Sequence, residues 1–422
     1  MKKLFALGAV SLLALGLASC GEDAGDDAQG TIGGGEGQTV ELEYSGTASN
    51  RDFNMELFED FKKARKDAGD KNTYVITYAE HGPDKVDSEV QDWSIGPDVF
   101  EFASDKITGL YQKGALARLT PTQTKWVRDN NNELGYDLAS FNGATYAYPY
   151  TGDNTYYFQY DKSVITNPED AKSVEKILEI AKTNGLKFGY NLKEAFWGGA
   201  AMFTFGADYT MSFDDDGSVK NIEATFDGDA GVKAAKAIKM IMEHPSWSND
   251  MAAPTVDNKF IGCIAGTWDI STYKTALGDN YACAPMPTVT IDGETKNLGA
   301  FLGGKLFGVN PSRAGSDTVR LKAAHELAKF LSGKECQLKR FDAQNVAPCN
   351  KEAAAESRVV NDVNVKCLVE QAAFAHAQTA VPDQFWNAPA TLTTAFADGT
   401  ITTDAQLLAA VQSFNTSVKN AQ

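Results

Sequence analysis

Three groupings of side chains in this 422-residue chain are of kinds that do chemistry. Carboxylates such as Asp105 and Glu194 could serve an extracellular glycan hydrolase, since two carboxyl groups flanking a glycosidic bond can protonate the leaving oxygen and activate water. No further hydrolase motif accompanies them. Ser212, Asp214, Asp216, Gly217 and Glu223 partly follow a calcium loop, but Ser stands where the first ligand should be Asp. Asp214-Asp215-Asp216-Gly217 reads better as a hairpin turn. The four histidines (His81, His244, His325, His376) are scattered and no CxxC pair occurs, so no zinc site is expected, and no other metal or cofactor is implied.

Lys and Arg number 39 against 56 Asp and Glu, a formal net charge of −17. A chain this acidic repels phosphate backbones, so a nucleic-acid partner is not expected. The only long apolar run follows Met1-Lys2-Lys3, so a protein of many membrane spans is not expected either. A basic start, an apolar stretch and small residues before a cut make 1–19 a secretory signal peptide. Leu17-Ala18-Ser19-Cys20-Gly21 closely resembles a bacterial lipobox, in which Cys20 is lipidated and becomes the first mature residue. The Gly/Asp-rich segment 20–38 holds nothing that could bury a core and reads as a tether. The folded body is therefore expected outside the cytoplasm, anchored to the bacterial cell membrane through Cys20. Disulfides can form there. The five remaining cysteines (Cys263, Cys283, Cys336, Cys349, Cys367) are odd in number, which leaves one or two bridges and an open pairing.

The elements that must position any site follow from periodicity. Strands are expected at 39–44, 75–78, 98–102, 145–150, 155–160, 260–267, 281–285 and 306–309. Asp52 is expected to cap a helix with Phe53, Leu57, Phe58 and Phe61 on its apolar side. Helices are also expected over 171–182, after Asp229 until His244-Pro245, after Asp317 until Gly333, and after Asp404. Strands alternating with helices argue for an α/β fold with a largely parallel sheet.

Several stretches, in this order, resemble the extracellular solute-binding proteins of ABC importers, most closely the maltodextrin and sugar binders. The first is Gly96-Pro97-Asp98-Val99-Phe100-Glu101-Phe102-Ala103-Ser104-Asp105-Lys106 with Gly114-Ala115-Leu116. The second is Tyr146 to Tyr150 through Tyr160-Asp161-Lys162, similar to the first crossing between lobes. The third is Gly266-Thr267-Trp268 with Ala284-Pro285-Met286-Pro287, similar to the family's second-lobe Trp and its return crossing. The fourth is Pro382 to Phe396, with Phe385-Trp386. The resemblance implies a two-lobed periplasmic-binding-protein-like (Venus-flytrap) α/β fold with a central cleft and several chain crossings. The first lobe would take 39–148 plus 298–348, and the second 151–290 plus 350–422.

The resemblance also implies the site. A sugar carries hydroxyls on its edge and C–H patches on its faces, so it calls for aromatic plates and hydrogen-bonding groups around them. Matching by position gives Phe102, Asp105 and Lys106 from the first lobe and Asp153 after the crossing. Glu194, Phe196, Trp197, Trp268 and Trp386 would come from the second lobe. Lys106 stands where the maltodextrin binders more often carry Arg, and Phe102 where they often carry Trp, which leaves the sugar itself open. The implied function is that of a monomeric binding protein, not an enzyme. It would take a malto-oligosaccharide or related carbohydrate into the cleft, close about a hinge and deliver the ligand to an ABC permease in the membrane. A polyamine, amino acid or peptide on the same fold is the competing ligand.

Overall fold

The computed structural model describes residues 37–255 and 258–420. The expected signal peptide, the expected lipidation site Cys20 and the expected tether as far as Glu36 lie outside the described residues. Ten strands matter for the site: β1 (Thr39–Gly46), β2 (Thr73–Glu80), β3 (Val99–Ala103), β4 (Ala147–Pro149), β5 (Tyr156–Asp161), β6 (Lys187–Gly189), β7 (Trp247–Ser248), β8 (Phe260–Gly266), β9 (Tyr281–Ala284) and β10 (Lys305–Val309). They form two sheets, one in each lobe, ordered β2-β1-β3-β10-β4 and β7-β6-β8-β5-β9.

The two sheets share one plan. β1 runs parallel to β2 and β3, and β10 is antiparallel to both its neighbours. β6 runs parallel to β7 and β8, and β5 is antiparallel to both its neighbours. The alternation of elements predicted largely parallel sheets, and each sheet differs by one reversed strand. That strand is the one by which the chain arrives from the other lobe. It must run away from the junction, whereas β1, β2 and β3, and likewise β6 and β8, run toward it.

Each sheet is buried by helices whose spacing was legible. Val40, Leu42 and Tyr44 alternate inward from β1 and meet Leu57, Phe58 and Phe61 of the helix Arg51–Asp67 and Leu327 and Leu331 of the helix Thr318–Leu331. In the second core Phe158 of β5 packs with Ile177, Leu178, Ile238, Ile241, Val411 and Phe414. Each such side chain, fully buried, contributes about 1.5–3 kcal/mol. Asp317 caps its helix as expected, its Oδ1 accepting the Arg320 N–H at 2.9 Å. One other expected cap shifts. Asp52 lies in the first turn of a helix that begins at Arg51, where its charge faces the positive end of the helix dipole. The last helix, expected after Asp404, is capped by Thr403 in a reciprocal pair with Gln406. The acidic run 214–217 turns a hairpin between Tyr209–Phe213 and Val219–Ala224, as the turn chemistry predicted.

The chain crosses between the lobes three times, and the return crossing is not where the sequence placed it. Ala284 and Met286, expected at that crossing, are buried in the second core, as are Leu298, Ala300 and Phe301, which the expected division assigned to the first lobe. The chain instead returns at Gly303-Gly304. There Asn154 and Gly303 exchange backbone hydrogen bonds of 3.0 and 2.9 Å, and Gly152 N–H donates to Ala347 O at 3.4 Å, so the three crossings run side by side. A Cβ on Gly304 would stand 2.3 Å from Thr151 O, so glycine is what lets the crossings approach so closely. Among the described residues no helix is long and apolar enough to cross a membrane.

Candidate functional site

Strands that run toward the junction deliver their carboxyl-end loops there, which is where ligands sit in open α/β sheets. A cavity of about 570 Å³ lies between the lobes and is lined from both sides. From the first lobe come Thr47 after β1, Gly82-Pro83-Asp84 after β2, and Asp105 and Lys106 in the single turn after β3. From the second come Glu194, Phe196 and Trp197 after β6, and Trp268 in the turn after β8. Asn154 and Lys305 line it from the crossings, Gln378 from just after the strand His376–Ala377, and Trp386 from the turn Asp383–Trp386.

The two walls differ in chemistry. The first-lobe wall is polar and charged. The Oδ1 of Asp105 accepts the Gln378 side-chain N–H at 3.0 Å, and the carbonyl end of the same amide accepts from Asn154 Nδ2 at 2.8 Å. Burial pushes the Asp105 carboxyl up to about 6, Lys106 opposes that rise, and Asp84 and Asp87 add to it. The second-lobe wall is aromatic. Trp268 lies 6.0 Å from both Phe196 and Trp197, centroid to centroid, and Phe301 bridges Phe196 at 5.9 Å to Trp386 at 5.8 Å. Trp268 is 48% exposed, an unusual state for so large an apolar ring. A Cβ on Gly266 would stand 2.2 Å from the indole, so this glycine permits the ring to lie back over its own strand end. At the edge of this wall burial raises the Glu194 carboxyl, against the Phe196 backbone N–H and the Trp197 side chain, which lower it.

The fold thus brings together Asp105, Lys106, Glu194, Phe196, Trp197, Trp268 and Trp386 from segments far apart in sequence. Phe385, next to Trp386, is buried in the second core. Two expected ligand contacts are corrected. Phe102 has 0% exposure and packs in the first core opposite Leu306, because its position in β3 points it at the helices rather than the strand end. Asp153 is buried at the crossing, where its Oδ2 accepts the Ala347 N–H at 2.6 Å, so it fastens backbone instead of facing the cavity. Thr47, Asp84, Asn154, Lys305 and Gln378 were not foreseen. Thr47 and Asp84 follow the carboxyl ends of β1 and β2, where the strand-end rule could have found them; Asn154 and Lys305 stand at the amino ends of β5 and β10, and they and Gln378 carried no signal.

The hairpin Tyr209–Ala224 of the second lobe also reaches the first. Gln112 Nε2 donates to Gly217 O at 2.8 Å, Asn142 Nδ2 donates to Asp214 O at 3.1 Å, and the Phe141 and Phe213 rings meet at 4.9 Å. A separate depression of about 530 Å³, on the first lobe beside Asp87, Trp93 and Lys113, holds none of the expected ligand residues.

A family model described as bacterial extracellular solute-binding protein matches residues 56–367. The maltodextrin-binding protein MdxE of Bacillus subtilis is 26% identical over 328 residues, 72% of each chain. A maltooligosaccharide ABC transporter solute-binding lipoprotein of Streptococcus pneumoniae is 24% identical over 393 residues, covering 88% of this chain and 86% of its own. The solved maltodextrin binding protein MalE1 from L. casei superposes with a TM-score of 0.75 at 22% identity, covering 90% of this chain and 99% of its own, a likeness of fold.

Proposed function

This chain belongs to the bacterial extracellular solute-binding proteins, and from that premise we propose that it captures a malto-oligosaccharide or closely related carbohydrate between its lobes. Its relatives are binding proteins, not enzymes, and the hydrolase reading of Asp105 and Glu194 is set aside. The observation that carries the proposal is the pairing of walls. An aromatic surface with Trp268 half-exposed faces a polar one with Asp105 and Lys106 across a single cavity. That matches a ligand whose ring faces are C–H and whose rim is hydroxyl, because aromatic planes bury the faces and charged groups form strong hydrogen bonds to the rim.

The cavity is not built for a polycation. Asp84, Asp105 and Glu194 share it with Lys106 and Lys305, so the charges nearly balance locally despite the acidity of the whole chain. Ligand would first meet one wall, and closure would bring up the other. Contacts made only when closed then shift the hinge equilibrium toward the form a membrane permease receives. The relatives' names and the lipobox at Cys20 support delivery to an ABC permease by a protein tethered through a lipid. Titration of the purified soluble body with maltotriose, maltotetraose, spermidine and a short peptide, followed by tryptophan fluorescence and calorimetry, tests the ligand class. Saturable binding of the glucans alone is expected. Absence of binding to any glucan would remove the proposal.

A further inference from the structure

We propose that Cys283 and Cys367 form a disulfide that fastens the outer strand of the second sheet to the helix Val363–Ala372. On a strand, residues two apart face the same way, so Tyr281 and Cys283 present one face of β9. On a helix, residues three apart share a side, so Asn364 and Cys367 present one side. The Tyr281 hydroxyl donates to Asn364 Oδ1, and Tyr157 from the neighbouring strand β5 donates to the same oxygen at 3.1 Å. This pins the register, and Cys283 falls opposite Cys367. The Cys283 sulfur reaches Val363 O at 3.6 Å, the carbonyl that accepts the Cys367 amide in a regular helix. Both cysteines belong to one small apolar cluster with Tyr157, Ile270 and Tyr281, and Cys283 stands close enough to raise the Cys367 thiol further.

The other three cysteines sit elsewhere. Cys263 donates to Ala252 O at 3.2 Å, Cys349 contacts Asn131 and Gln337, and Cys336 lies in the first core. An odd count of five thus resolves into one bridge and three thiols. A family of extracellular proteins works where small disulfides and disulfide oxidoreductases supply the oxidant. Cys283, the more accessible of the two, would as thiolate attack an oxidant disulfide and release one thiol. Cys367 would then lose its proton and attack the Cys283 sulfur, releasing the second thiol. Two protein thiols become one disulfide while the oxidant gains two electrons and two protons. Burial raises the Cys367 thiol, so first attack falls to Cys283, and Cys367 attacks only once the mixed disulfide stands beside it. The bridge would hold the segment that carries Gln378 to the cavity against its own lobe.

The test uses the chain exported by its own leader, denatured without reductant in excess iodoacetamide and mapped by mass spectrometry. A linked pair of peptides holding Cys283 and Cys367, lighter by two hydrogens than the two thiol peptides, is expected, with Cys263, Cys336 and Cys349 alkylated. Reduction should lower the Tm of this protein by about 5 °C and leave that of a Cys283→Ser, Cys367→Ser double variant unchanged. Alkylation of all five cysteines, both as exported and after incubation with oxidised glutathione, would overturn the proposal, as would any other pairing.

Discussion

Replacing Asp105 by Asn should weaken sugar binding and at the same time relieve the fold. Ligand hydroxyls are best accepted by the ionised carboxylate, and one oxygen of Asp105 already takes the Gln378 amide. Burial pushes the carboxyl up to about 6 from an ordinary 3.8. If only the ionised form binds, affinity at pH 5 should be about tenfold below that at pH 8, with half the loss by pH 6. Losing a charged hydrogen bond to Asn should cost about 1.5–3 kcal/mol, on the order of 10- to 150-fold in Kd at pH 8, and should flatten the pH profile. The stability effect has the opposite sign. The folded value lies above the unfolded one, so this group's contribution is most favourable below pH 3.8 and is lost as pH rises through 6. Above that the ionised carboxylate costs up to about 3 kcal/mol, reduced by the water that reaches it from the cavity. Asp105→Asn should therefore match or exceed the parent in urea at pH 8 while binding sugar worse. Calorimetric titration with maltotriose between pH 5 and 8 reads both arms. A parent profile flat over that range, or a sloping profile that survives in the variant, would refute the assignment to Asp105.

Trp268→Ala should lower maltotriose affinity on the order of tenfold, through lost stacking of about 0.5–1.5 kcal/mol beyond area, with Tm nearly unchanged because the ring is half-exposed. Phe102→Ala should instead cost about 3–5 kcal/mol in urea denaturation, since its ring is wholly buried. Asp98→Asn should cost a similar 3–5 kcal/mol. Arg320 grips that buried carboxylate through Nε at 2.6 Å and Nη2 at 2.8 Å, and the Glu43 N–H donates to it at 2.8 Å. His325 sits near 4 because burial disfavours its charge, against 6.5 unfolded. Its contribution is whole above pH 6.5 and falls away as pH drops toward 4, by at most about 3 kcal/mol. His325→Asn should make urea midpoints between pH 4 and 6.5 less steeply dependent on pH, and an unchanged slope would contradict this.

Local chemistry was readable along the chain wherever one segment decides its own fate. The alternation of Val40, Leu42 and Tyr44, the 3.6-residue spacing of Leu57, Phe58 and Phe61, the Asp317 cap and the hairpin at 214–217 all follow from neighbours within a few residues. Asp105, Lys106 and Trp268, which stand just past a strand and line the cavity, came from matching by position to the family. What the sequence could not decide was which strand end meets which. Phe102 and Asp105 are three residues apart, yet one is core and the other faces the cavity, since the direction of β3 relative to its helices settles which way each points. Asp153 was diverted by Ala347, and Asp105 is oriented by Gln378, a partner 273 residues away. The return crossing at Gly303-Gly304 and the register that sets Cys283 beside Cys367 are likewise long-range pairings. Such pairings depend on which distant surfaces bury each other, and no window of sequence contains both.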